Sequence, residues 1–168
     1  MHVFSYLLGS WVINKYITAH PENNIATIIY DRSPAQERAP YVLINDMPIL
    51  IKLASGNIMW DFANTPYQGI EKKNIKIGII IESKATDLVR RHKATALEKG
   101  ELKWDVENLK QDCDDYMYTR LNHDEMYSRF DVIGDDIFSF IKTGKFRSTA
   151  QRKPYDWDPF EIYTEKAF

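Results

Sequence analysis

The chain has 168 residues, a single cysteine and a net charge of −2, with 44% apolar and 27% charged residues. That length suits one domain able to bury about two-thirds of its unfolded surface without staples, and the composition excludes a disordered chain. The lone Cys113 excludes an intramolecular disulfide or a cysteine-built metal site, and the charge balance argues against a general polyanion binder.

Taken in chain order, Phe4, Leu7, Leu8, Trp11, Val12, Tyr16 and Ile17 recur at helical spacing and predict an amphipathic helix over 2–18. This apolar start lacks the basic flank of a signal peptide, and no run approaches the roughly 18 apolar residues of a membrane span. The cytoplasm is the expected compartment. His20-Pro21-Glu22-Asn23-Asn24 ends the helix, and Ile25 to Tyr30 predicts a short strand. After a polar loop over 31–40, Tyr41-Val42-Leu43-Ile44 and Met47 to Ala54 flank Asn45-Asp46 and predict a hairpin, with Pro48 at a strand start or on an edge. Ile58 to Phe62 predicts one more strand.

Asn74 to Lys84 carries five isoleucines and predicts a central strand. Alternation places Ile75, Ile77, Ile79 and Ile81 on one face and Lys76, Gly78, Ile80, Glu82 and Lys84 on the other. The period then changes: a helix is expected over 85–99, ended by Gly100, and a longer one of roughly five turns over 104–121. A shorter helix over 130–141, broken near Gly134, closes at Gly144. These elements predict an α+β fold over residues 1–144, an antiparallel or mixed meander covered by an N-terminal helix and C-terminal helices.

Residues 145–168 carry six aromatic rings without either periodicity and predict an extended C-terminal docking arm. Trp157, Phe160 and Tyr163 are its expected anchors. Charge is unevenly spread: residues 84–104 hold six Lys/Arg against three acids, and residues 105–137 hold three against ten. The acids beside the anchors, Asp156, Asp158 and Glu161, suit a basic patch, and Arg90, Arg91 and Lys93 of a neighbouring copy would supply it.

For chemistry, the clearest pattern is the apolar strand running into Glu82-Ser83-Lys84. It resembles the ExK signature of the PD-(D/E)xK nuclease superfamily. That resemblance implies Asp61, in Met59-Trp60-Asp61-Phe62, and Glu82 as ligands of Mg²⁺, with Lys84 steadying phosphate charge on a nucleic acid. The four histidines, His2, His20, His92 and His123, show no metal-ligand spacing with each other or with Cys113 and are expected at the surface. Asp112, Asp114 and Asp115 lack the glycine and glutamate of a calcium loop, and no glycine-rich phosphate loop occurs.

The layout as a whole, an opening helix, a Pro-containing loop entering Tyr-Val-Leu-Ile, a meander, and a long strand running into a helix, is similar to the small tail-terminator and head–tail joining proteins of tailed bacteriophages. That resemblance implies a non-catalytic assembly protein with no cofactor. It would act as a homo-oligomer or in a larger assembly through protein contacts, in the host cytoplasm and then in the virion. The leading expectation is this assembly role, and a Mg²⁺-dependent nuclease is the alternative.

Overall fold

Residues 1–71 and 74–161 are described in a computed structural model of the chain. One sheet of four parallel strands runs through it in the order β1-β2-β3-β4: β1 (His2–Tyr6), β2 (Thr27–Arg32), β3 (Lys76–Glu82) and β4 (Asp115–Thr119). The fold is therefore α/β, which corrects the expected α+β meander. Parallel neighbours need a crossover between them. The residues expected to form hairpins are the helices that make those crossovers.

The corrections have local causes. The helix expected over 2–18 is two elements, β1 and α1 (Gly9–Ala19), with Leu7 at a φ of 35° between them. The expected hairpin and the strand after it are α2 (Ala39–Asp46), α3 (Pro48–Ser55) and α4 (Ile58–Asn64). Pro40 and Pro48 fall in the first two positions of α2 and α3, where a fixed φ suits the helix and the missing N–H has no intrahelical acceptor to lose. The helix expected over 85–99 divides at His92 into α5 (Asp87–Arg91) and α6 (Lys93–Leu97). The long helix expected over 104–121 is a 3-10 turn at Val106–Leu109 followed by β4. Then come α7 (His123–Ser128) and α8 (Phe130–Thr143), the latter unbroken at Gly134.

β2 is buried throughout and β3 from Ile77 to Glu82. On one face Ile29, Ile80 and Met117 receive Ile133, Ile137 and Phe140 of α8. On the other, Ile28, Tyr30 and Ile77 receive Ile13 and Ile17 of α1, while Ile79 and Ile81 pack with Leu109 of the 3-10 turn. Each fully buried isoleucine contributes about 1.5–3 kcal/mol. The Ile-rich strand is an inner strand as expected, and both of its faces are core from Ile77 to Glu82.

The C-terminal segment lies along this domain. Phe146 is buried beside Phe140, and the Tyr118 N–H donates to the Gln151 carbonyl at 2.9 Å, so residues near 151 cover the outer edge of β4. Trp157 Nε1 donates to the Ser83 carbonyl at 2.9 Å, and the Ala85 N–H donates to the Pro159 carbonyl at 2.8 Å. Phe160 packs at the edge of the Ala35–Val42–Val89 cluster. Lys93 meets Asp158 of its own chain at 3.0 Å, Arg90 meets Asp87 at 2.6 Å, and Arg91 is exposed. Tyr163 lies outside the described residues. Among the described residues no helix is long and apolar enough to cross a membrane.

Gly78 is the tightest point of the sheet, because a Cβ there would stand 2.9 Å from Phe140 and 3.0 Å from Phe146. Both rings are buried and cannot swing away, so Gly78→Ala should destabilise the protein by about 1–3 kcal/mol in urea unfolding. Truncation after Gly144 removes Phe146 from the core and uncovers β4. It should cost at least the about 3–5 kcal/mol of deleting a core phenylalanine, seen as a lower urea midpoint by circular dichroism.

Candidate functional site

Because all four strands are parallel, their C-terminal ends share one edge, and their last side chains converge there. In parallel register Asp31 of β2 stands beside Ile80 of β3, and Ile80 and Glu82 point to the same face two residues apart. The result is two neighbouring carboxylates, both with no exposed surface. Tyr6 ends β1 on the same edge.

His123 completes the group. The turn after β4 is set by Thr119 Oγ1, which accepts from the Leu121 N–H at 3.3 Å, and by a capping box at the start of α7. Asn122 Oδ1 accepts from the Glu125 N–H, and Glu125 Oε2 accepts from the Asn122 N–H, each at 2.9 Å. Lys84 Nζ reaches Glu125 at 3.4 Å and braces the same turn. This fixes His123 as the first residue of α7, with Nδ1 at 3.0 Å from Glu82 Oε1 and 3.8 Å from Asp31 Oδ2. The Tyr6 ring stacks on the imidazole with centroids 3.9 Å apart, and its hydroxyl donates to the His123 carbonyl.

One ligand atom from each of Asp31, Glu82 and His123 lies within 4.8 Å of the others. Both Asp31 oxygens and Glu82 Oε2 are buried without a hydrogen-bond partner, and so is the hydroxyl of the adjacent Ser83. Burial pushes Glu82 up to about 8, with Asp31 and Ser33 beside it acting to lower it. Burial, then the charge of Glu82, raises Asp31 well above the carboxylate range. The two acids are close enough for a shared proton to join them, and without it their facing oxygens have no donor. Burial lowers His123, against the pull of Asp31 and Asp124, and so favours neutral imidazole.

Two carboxylates and a neutral imidazole form an O,O,N set that suits a divalent cation of the Mn²⁺, Fe²⁺ or Zn²⁺ kind. Such a cation would replace the shared proton as the partner of the orphaned oxygens. A cavity of about 280 Å³ opens beside the group, with Tyr6 and His123 in its wall and Leu7, Leu8, Pro40, Leu43 and Met59 as its apolar lining.

No known protein family, curated protein or solved structure matches the chain.

Of the residues singled out from sequence, Glu82 is in the group and the others are not. Asp61 is exposed on helix α4 rather than on a strand, so the structure does not make it the partner of Glu82. That acid is Asp31. Lys84 is engaged with Glu125. His123, expected at the surface, has a side chain only 12% exposed; His92 pairs with Asp46, while His2 and His20 are exposed as expected. A signal for Asp31 was available in Ile28-Ile29-Tyr30-Asp31, which repeats the pattern Ile79-Ile80-Ile81-Glu82 of an apolar run ending in an acid.

The raised carboxyls set a pH dependence for the metal-free protein. Glu82 holds its proton to about pH 8 in the folded state and loses it near 4.5 when unfolded. The folded state therefore binds more protons across that window, and stability falls as pH rises. His123 acts in the opposite sense, but only below its ordinary value of 6.5. From pH 6.5 to 8 the stability of the metal-free protein should therefore fall, and Glu82→Gln should make that fall shallower in urea midpoints measured in EDTA.

Proposed function

We propose that the protein is a divalent-metal-dependent hydrolase whose metal centre is Asp31, Glu82 and His123. The observation that carries this reading is the set of three buried carboxylate oxygens without a donor, gathered beside an imidazole at the C-terminal edge of the sheet. Burying three carboxylate oxygens without partners costs several kcal/mol, and a cation is a partner that would offset that cost. In parallel sheets the strand C-termini are also where ligands bind. Asp31, Glu82 and His123 would hold the cation, which would supply Lewis acidity and a lowered pKa for water beside an ester placed in the adjoining cavity. Tyr6 holds the imidazole plane by stacking.

A second proposal keeps the assembly role, as a phage tail or head–tail joining component. It is favoured by one surface: Ile49, Leu50 and Leu53 of α3 are 77%, 62% and 83% exposed, an apolar row that a neighbouring subunit would cover. It requires no metal.

The two proposals separate in one titration. Calorimetry at pH 8.5 should find one Mn²⁺ bound per chain with proton release, and affinity should fall at least tenfold at pH 6.5, where protons compete. Asp31→Asn and Glu82→Gln should each weaken Mn²⁺ by tenfold or more and abolish Mn²⁺-dependent cleavage of bis(p-nitrophenyl) phosphate. A wild-type protein that binds no Mn²⁺, or variants that bind it equally well, would overturn the hydrolase reading.

A further inference from the structure

A second cavity, about 440 Å³ in volume, shares Leu7, Leu8 and Pro40 with the one beside His123. Its size is that of a small-ligand site. Its lining gathers positive charge in a chain whose net charge is −2: Arg32, Arg38, Lys99, Lys103 and Lys110 against Glu37 and Glu101.

Part of that charge is spent inside the protein. Arg32 is only 2% exposed; its Nε meets Glu37 at 2.6 Å, its Nη1 donates to the Leu109 carbonyl at 3.0 Å, and its guanidinium lies 3.8 Å over the Tyr67 ring. Lys99 donates to the Ala63 carbonyl at 2.8 Å and stands 4.2 Å over Tyr41. Lys103 and Lys110 are exposed and form no ion pair among the described residues. The Arg32 bond to the Leu109 carbonyl holds the backbone just before Lys110. Gly69 backs it, since a Cβ there would overlap the Lys110 carbonyl. These contacts fix the backbone point from which the exposed Lys110 side chain extends.

The same cavity has an aromatic wall. Trp11 packs edge-on with Phe62 at 5.6 Å and with Tyr67 at 5.8 Å. Flat π-surfaces beside uncompensated cations match a ligand with an aromatic ring and a phosphate. A polymer is disfavoured, because each phosphate along a strand needs its own cation and the chain carries more acids than bases.

We propose that this cavity binds a nucleoside phosphate, with the base against Trp11, Phe62 and Tyr67 and the phosphate towards Lys103 and Lys110. This binding is independent of the metal-centre reading.

The test is calorimetry in EDTA, so that the metal centre plays no part, with AMP, GMP, CMP and UMP as probes against adenosine and inorganic phosphate. At least one nucleotide should bind tenfold or more tighter than both adenosine and phosphate. The surface variant Lys103→Glu/Lys110→Glu, which disturbs no buried contact, should weaken that nucleotide at least tenfold and leave adenosine unchanged. The proposal is overturned if no nucleotide exceeds adenosine and phosphate, or if the double variant binds as the wild type does. Phosphate binding alone, equal to that of the nucleotides, means an anion site without base recognition and overturns it as well. Absence of Mn²⁺ binding in the separate titration sinks the hydrolase reading and leaves the nucleotide site standing.

Discussion

Parallel pairing fixes where the polar chemistry of this protein can be. Four strands pointing one way bury a continuous slab of isoleucine, tyrosine and methionine between α1 on one side and α8 on the other. The slab leaves no room for a charge in its middle, so the acids fall near the ends of β2 and β3. There the register pairs Asp31 with Ile80, and Glu82 follows on the same face two residues on. Everything else near the edge serves that juxtaposition: the capping box that aims His123, the stacked Tyr6, and the Lys84–Glu125 pair bracing the turn.

Two adjacent buried carboxylates work against stability. A fold selected for stability alone would place apolar side chains there, since hydrophobic isosteres of buried charges are often neutral or better. The surrounding core is what makes the cost tolerable, because the isoleucines of β2 and β3 are buried almost completely.

How much of this was legible in the sequence differs from element to element. β3 was, because a run of isoleucines between charged ends reads as an inner strand whatever its neighbours do. β1 and β4 were not. His2–Tyr6 and Asp115–Thr119 are five residues each, too short to show a period, and their aromatic residues also fit a helical stripe when joined to the next element. The α2–α4 region misleads for a different reason: Val42, Leu43, Ile44, Ile49, Leu50 and Ile51 are β-prone or neutral, Pro48 reads as a strand edge, and Pro40 reads as the end of a polar loop. The site inherited these errors. Glu82 stands in the carboxylate group at the end of a strand the sequence makes legible, Asp61 pairs with it only when α4 reads as a strand, and nothing in the local sequence of His123 carries a ligand spacing. Only the register of separate strands brings it to Glu82.

The long reach of these contacts bears on how the chain acquires its site. Tyr6 bonds to a residue 117 positions away, and Trp157 closes on the loop after β3 across 74 positions. Pairings of such separation are slow to form, because the loop between them must be closed first. On a ribosome, β1 to β3 can emerge and begin to collapse while Glu82 still lacks His123, and the Ser83 carbonyl waits longer for Trp157. The carboxylate cluster is thus a late product of synthesis, and in a nascent fragment ending before α7 the face that α8 later covers, with its two acids, is still open to water.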